Sequence, residues 1–268
     1  MVELAVDSAE GSPRLLAADE APPWIVIEST KNSPFLLLGD HASRTVPRSL
    51  AALGLPDAEQ RRHIAWDIGI AGLGAALAGI LGAAFIAQRF SRLVIDANRE
   101  PGRADAIPEM SDGTSPPGNA GLSPAARRAR FEAISAPYHA RIAQELDRRA
   151  AQGLATTLIS LHSFTPVMGG FVRPWEFGVL HAGDSAFSQA ALAELRASVG
   201  AELVGDNEPY RMDEVDYTIP FHCRPRGLDY LELEVRQDLL ADPTAEQRMA
   251  TKIAPILFAA LANVPSPG

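Results

Sequence analysis

Short, nearly continuous apolar runs alternate with longer stretches of helical spacing along most of the chain. Phe35-Leu-Leu-Leu-Gly39 is apolar at consecutive positions, as a strand covered on both faces requires. A helical pattern begins near His63 and continues through Leu73, Leu77 and Leu81. Gly72, Gly74 and Gly79 weaken that helix but allow close packing against it. Residues 83–88 and 92–95 read as strands. Ser123-Pro124 opens a helix that runs to about residue 152, because Ser can cap and Pro fits the first turn. Further strands are predicted over 156–161, 177–180 and 228–235, and helices over 184–199 and 243–262. Residues 206–225 read as irregular. Residues 101–124, with five prolines and four glycines, form a long loop of the kind that serves a site or is mobile. Strands alternating with helices predict an α/β fold with helices on both faces of the sheet. Residues 1–23 show no sustained period and read as a flexible N-terminal arm. Residues 24–268 contain no repeat and no linker, and read as one domain.

Composition narrows the function classes. The chain has 268 residues, 47% hydrophobic and 21% charged, which is the balance of a globular protein and not of a disordered one. A formal net charge of −9 disfavours nucleic acid and anionic membranes as partners. It leaves room for a small anionic substrate, since a few arginines in a cleft outweigh the global field. The apolar stretch from Ile68 to Ile86 is rich in Gly and Ala and leads into Gln88, Arg89 and Arg92. It reads as a buried helix followed by a strand, not as a membrane span. Cys223 is the single cysteine, so an intramolecular disulfide and a multi-cysteine zinc site are both excluded. With no basic, apolar leader at the N-terminus, the expectation is a cytoplasmic protein.

Reactive side chains fall at the ends of the predicted strands. Asp40 and His41 follow the first, Asp96, Asn98 and Arg99 follow residues 92–95, and His162 follows 156–161. Open α/β sheets build their sites beyond the carboxyl ends of strands. Two histidines and a carboxylate suit zinc and leave one coordination position for water. His41 and His162 are the best-placed histidines, with Asp67 as the carboxylate and Asp40 as the alternative. The arginine fork of Arg99, with the neighbouring amide of Asn98, can grip a carboxylate, or Arg99 can pair with Asp96 or Glu100. In Leu231-Glu-Leu-Glu-Val235 the alternation puts Glu232 and Glu234 on one face. Glu234 is the candidate general base. Arg173 and His222 are further candidates for substrate contact. There is no dinucleotide fingerprint, no Walker lysine and no Gly-x-Ser-x-Gly, which argues against the corresponding enzyme classes.

Four segments together resemble the N-formylglutamate amidohydrolase family. They are Gly39-Asp-His-Ala-Ser-Arg-Thr-Val-Pro47, Phe90-Ser-Arg-Leu-Val-Ile-Asp-Ala-Asn-Arg99, Ser160-Leu-His-Ser-Phe164 and Leu231-Glu-Leu-Glu-Val-Arg-Gln-Asp-Leu239. That family is similar in fold to zinc carboxypeptidases. The resemblance implies a three-layer domain with a mixed, mostly parallel sheet. It implies a Zn2+ cofactor and hydrolysis of an amide in an N-acyl amino acid such as N-formylglutamate. Asp96-Ala-Asn-Arg99 resembles the peptidases' carboxylate-binding segment, His162-Ser163 their last zinc ligand, and Glu234-Val-Arg236 the segment of their catalytic glutamate. The chain departs from them at the first ligand pair, where His41-Ala-Ser-Arg44 stands in place of His-x-x-Glu. Asp67 is the substitute that the amidohydrolase resemblance implies. The alternative activities are a carboxypeptidase or another N-acyl-amino-acid hydrolase on the same site. A non-catalytic carboxylate-binding protein is the alternative from a different class.

Overall fold

The computed structural model of the protein describes residues 14–212 and 216–264. Its strands are β1 (Trp24–Ile27), β2 (Phe35–Gly39), β3 (Ala84–Gln88), β4 (Thr157–Phe164), β5 (Val167–Met168), β6 (Phe171–Val172), β7 (Phe177–Leu180), β8 (Val204–Asp206) and β9 (Tyr230–Arg236). The α-helices are α1 (Asp57–Gln60), α2 (Ile70–Leu81), α3 (Pro124–Arg130), α4 (Ala136–Ala151), α5 (Ala186–Val199), α6 (Thr218–Cys223) and α7 (Pro243–Asn263). A seven-stranded sheet runs in the order β1-β3-β2-β4-β9-β7-β8, and β5 and β6 form a separate ribbon. β3, β2, β4 and β9 are mutually parallel neighbours, as are β7 and β8, while β1 joins β3 and β7 joins β9 antiparallel. This is the single mixed, mostly parallel α/β domain expected from the sequence.

Alternation along the strands divides the core. Phe35, Leu37, Ile159, Leu161, Leu231, Leu233 and Val235 face the layer built from α2, α5 and α7. Leu36, Leu38, Leu158 and Tyr230 face the other layer, under Tyr138, Ile142 and Leu146 of α4 and Ile219 and Cys223 of α6. Two glycines of α2 set its distance from its neighbours. A Cβ at Gly72 would lie 1.8 Å from the Glu246 carboxylate, and one at Gly74 would lie 2.3 Å from the Phe85 ring. Gly79 meets nothing within 4 Å, so its cost in helix propensity is not repaid by packing.

Some expected elements change. The helix predicted from His63 begins only at Ile70, because Gly69 turns the chain with φ +84°, and a Cβ there would lie 2.3 Å from that of Leu240. Residues 92–95 are a turn and not a strand, closed by Val94 N–H donating to the Ser91 carbonyl at 2.9 Å. Leu93, Val94 and Ile95 are apolar because they pack with Ile64, Phe90, Ile107 and Ile134 in a third cluster outside the sheet. β4 extends through Phe164, so His162 sits inside the strand. β1, β8 and α6 add elements that the sequence pattern does not predict. Ser123 caps α3 by accepting from Ala126 N–H at 3.2 Å. The helix continues into α4 through a π turn over Phe131–Ser135, which accommodates Pro137.

The long loop before α3 is anchored. Buried Arg130 donates to the Val94 carbonyl at 3.0 Å, the Gly118 carbonyl at 2.7 Å and Asn119 Oδ1 at 2.7 Å. Of the arm expected over residues 1–23, residues 1–13 lie outside the described residues. Leu15 and Leu16 pack against the third cluster, and Ser49 Oγ donates to the Leu15 carbonyl at 2.6 Å. Among the described residues no helix is long and apolar enough to cross a membrane.

Candidate active site

The loops after β2 and β3, together with β4 and β9, surround one cleft of about 420 Å3. Its floor holds His41, Asp67 and His162, whose ligand atoms all lie within 4.8 Å of one another. Each comes from a different element. His41 follows β2, Asp67 precedes α2, and His162 projects from β4. Asp67 N–H donates to the His41 carbonyl at 2.8 Å, which ties the first two together through the backbone. Asp67 Oδ2 lies 3.4 Å from His41 Nδ1 and 3.0 Å from His162 Nδ1.

The other ring nitrogens are satisfied away from this centre. His41 Nε2 is 2.7 Å from Asp96 Oδ1, and His162 Nε2 is 3.0 Å from Ser160 Oγ. Such outer partners fix which nitrogen faces a metal. Arg92 binds Asp96 Oδ2 through Nε at 3.1 Å and Nη2 at 2.7 Å, and reaches Asp67 Oδ1 through Nη1 at 3.4 Å. Asp40 is fully buried behind this layer. Tyr138 donates to its Oδ1 at 2.8 Å and Ser160 to its Oδ2 at 3.4 Å, so Asp40 lies behind His162, while Asp67 is the carboxylate grouped with the two histidines.

The electrostatics follow from these contacts. Burial favours a neutral Asp67, but His41 and His162 outweigh it and hold the carboxyl well below its ordinary range. Burial also pushes His162 down, against a hydrogen bond and charge from Asp67 and the charges of Glu232 and Glu234, which raise it to about 10. His41 is raised too, burial and Arg92 being outweighed by Asp96 and Asp67. Glu234 pairs in register with His162 across the β4–β9 ladder. Burial, opposed chiefly by His162, brings Glu234 to about 7. Its Oε2 has no hydrogen-bond partner among the described residues. Glu232 lies two residues deeper, and burial with the nearby Asp216 carboxylate raises it further.

The remaining predicted residues separate. Asn98 and Arg99 line the cleft. The Asn98 amide is committed to scaffold: Nδ2 donates to Asp216 at 3.1 Å, and Oδ1 accepts from the Tyr217 and Thr218 N–H groups at 2.9 and 2.8 Å. Arg99 donates to the Asn98 carbonyl at 2.8 Å and lies 3.6 Å from Asp105 and 3.7 Å from Asp216. Arg173 is behind the wall, donating to the Tyr210 hydroxyl at 3.2 Å and stacking over that ring. Tyr210 itself lines the cleft. His222 does not reach the cleft and is buried on α6 against His139.

Arg92, Asp96, Ser160 and Tyr138 are the supporting groups that sequence reasoning did not assign. Arg92 and Asp96 are four residues apart. In the strand predicted there they would stand about 13 Å apart, whereas the turn brings them into contact.

The fold and cleft are those of an α/β protein with a buried acid beside a group able to hold a metal ion. The chain belongs to the N-formylglutamate amidohydrolase family, whose sequence model matches residues 33–241. It is therefore an amidohydrolase. It is similar to the gene product Atu2144 of Agrobacterium tumefaciens, at 34% identity and a TM-score of 0.89, over 94% of this chain and 99% of that one. The N-formylglutamate amidohydrolase of Ralstonia eutropha JMP134 shares the fold at 18% identity and a TM-score of 0.65, over 91% of this chain and 100% of that one. No curated protein matches the sequence.

Proposed function

We propose that this protein is a zinc-dependent amidohydrolase that cuts the amide bond of an N-acyl amino acid, with N-formylglutamate among its candidate substrates. The observation that carries this reading is the convergence of His41 Nδ1, Asp67 Oδ2 and His162 Nδ1 beside Glu234. Two imidazole nitrogens and one carboxylate oxygen are the donor types zinc takes, and three protein ligands leave a position open. The outward nitrogens already have partners, so the rings need not reorganise. Bound zinc would polarise an amide carbonyl and lower the pKa of water toward about 7.

The chain's own residues supply the rest. Glu234 accepts the proton of the attacking water and delivers it to the leaving amine, a task suited to an acid that titrates near neutrality. Arg99 takes the substrate carboxylate, and Asn98 holds the turn on which Arg99 stands. Arg173 acts through Tyr210, which it orients at the wall. The cleft volume exceeds what a formyl group needs, so acetyl and longer acyl groups are tested beside formyl. The experiment is a hydrolysis screen of N-acyl amino acids and C-terminal peptides with metal content measured in parallel. Hydrolysis of none of them by the metal-loaded protein would overturn the reading.

Two outcomes follow. Arg99→Lys keeps the charge but loses the fork. It should lower kcat/KM on N-acyl amino acids by about tenfold or more, and much less on analogues with an α-carboxamide, a coupling of roughly 1–3 kcal/mol. Equal fractional losses on both substrates would make Arg99 scaffold, paired with Asp105 and Asp216.

The second outcome concerns protons. His162 is raised to about 10 and is protonated at pH 7 in the metal-free protein, and His41 is raised too, so it holds its proton to higher pH than a free imidazole. A metal taking both Nδ1 atoms must displace those protons, so uptake should release between one and about two per chain. Apparent affinity should rise with pH up to about 10, where His162 has lost its proton. Calorimetric titrations in buffers of different ionisation enthalpy measure the number. Uptake without proton release would show that the ion binds elsewhere.

A further inference from the structure

His222 is the predicted residue that the cleft does not use. It is fully buried on α6 and stacks on His139 of α4, with ring centroids 5.3 Å apart at 30°. His222 Nε2 is 3.1 Å from His139 Nδ1, and His139 Nε2 is 3.0 Å from the Ala97 carbonyl oxygen. A carbonyl can only accept, so His139 carries its proton on Nε2 and presents Nδ1 as an acceptor. His222 must then carry its own proton on Nε2. Its Nδ1 is left as a bare lone pair, and that atom has no hydrogen-bond partner among the described residues. One backbone carbonyl thus settles both tautomers.

Both rings are neutral at pH 7. Burial lowers His139 against the pull of Asp40, which follows β2, and lowers His222 to about 3, with the Arg226 charge acting the same way. Tyr138 on α4, and Tyr217 and Phe221 at α6, pack their rings around the pair. Ala97 lies between Asp96, which takes the Nε2 side of His41, and Asn98-Arg99 at the cleft. A second link joins the same pieces, because Asn98 Oδ1 accepts from Tyr217 and Thr218 N–H at the start of α6.

We infer that His222 and His139 form a tautomer-locked relay that positions the turn over residues 96–99, and through it places Arg99 for the substrate carboxylate. Both are positioning residues, since neither lines the cleft. The inference rests on the reading of Arg99 given above. Losing the donor on His222 leaves His139 Nδ1 buried and unpaired and frees His139 to change tautomer.

The test compares His222→Leu with His222→Gln, whose side-chain N–H can replace the lost donor. His222→Leu should raise KM for an N-acyl amino acid on the order of tenfold. Its α-carboxamide analogue should be far less affected, and metal content should be unchanged. His222→Gln should recover most of the loss. 15N NMR of the wild-type holoenzyme at pH 7 should show both rings neutral and protonated on Nε2. Should His222→Leu not fold, His222→Asn replaces it, with an amide too short to reach His139. A proton on His139 Nδ1, equal losses on acid and amide substrates, or no recovery in His222→Gln would each overturn the relay. Arg99→Lys is run alongside. If Arg99→Lys shows no preference between acid and amide while the NMR result holds, the assignment of Arg99 has failed independently of the tautomers.

Discussion

His41→Ala and His162→Ala are each expected to strip the protein of its metal under dialysis, and the double variant to hold none. Apparent zinc binding in small protein sites is on the order of 10–16 kcal/mol. One ligand of three then carries on the order of 3–5 kcal/mol, a loss of about 10²–10⁴ in affinity for each single variant. The supporting groups should behave differently from the ligands. Asp96→Asn keeps an acceptor for His41 Nε2 but removes the charge that Arg92 clamps, so affinity should fall about 10–100-fold. Asp40 touches the centre only through Ser160 and the far side of His162. Asp40→Asn should therefore cost less than Asp67→Asn, whose Oδ2 lies against both Nδ1 atoms. Chelator competition on protein purified without added zinc measures all six. Stoichiometric metal in the double histidine variant would sink the site, and a larger loss from Asp40→Asn than from Asp67→Asn would reverse the choice of carboxylate.

That choice shows how far the sequence reached. The central strands were legible because β2, β3, β4, β7 and β9 are buried along their whole lengths or nearly so, and their residues fall in short bounded runs that are largely apolar or, in β9, alternate apolar with charged residues. β1 is half-buried at the sheet edge and β8 has three residues, so neither carries enough burial to mark a pattern. Residues 92–95 misled for a physical reason. Leu-Val-Ile satisfies a buried strand and a buried turn equally, and the third apolar cluster that holds the turn is assembled from distant segments. The cleft positions of His41, His162 and Glu234 were legible because strand ends and strand alternation place side chains without further knowledge of packing. Arg92 was not, since its work depends on the turn. The scaffold bonds of the Asn98 amide were not legible because its partners, at positions 216–218, lie about 120 residues away in sequence. His222 sits on a six-residue helix in a segment read as irregular, where no periodicity says which side faces the cleft.

Glu234→Gln should leave metal binding intact and lower turnover by about 10²–10⁴. The substitution keeps the shape of the side chain and removes only its capacity to hold and deliver a proton. Glu234 is suited to that role by position and by environment. It sits opposite His162 in the β4–β9 ladder, is buried, and titrates near 7 before any cation is bound. A dication among His41, Asp67 and His162 would favour the carboxylate and pull that value down, by the attraction of unlike charges in a poorly screened site. The active form is the carboxylate, so kcat/KM should fall as pH drops through a limb lying below 7, and the limb should vanish in Glu234→Gln. Glu232 is the control. It shares the face of Glu234 but is raised further by burial and by Asp216, and its Oε1 lies 3.7 Å from the outer nitrogen of His162. A protonated acid on that side can support the ligand but cannot take a proton from water, so Glu232→Gln should cost turnover far less. Profiles of kcat/KM against pH for wild type and both variants decide the matter. If Glu234→Gln stays within about threefold of wild type while Glu232→Gln loses activity and the acid limb, the proton acceptor is Glu232.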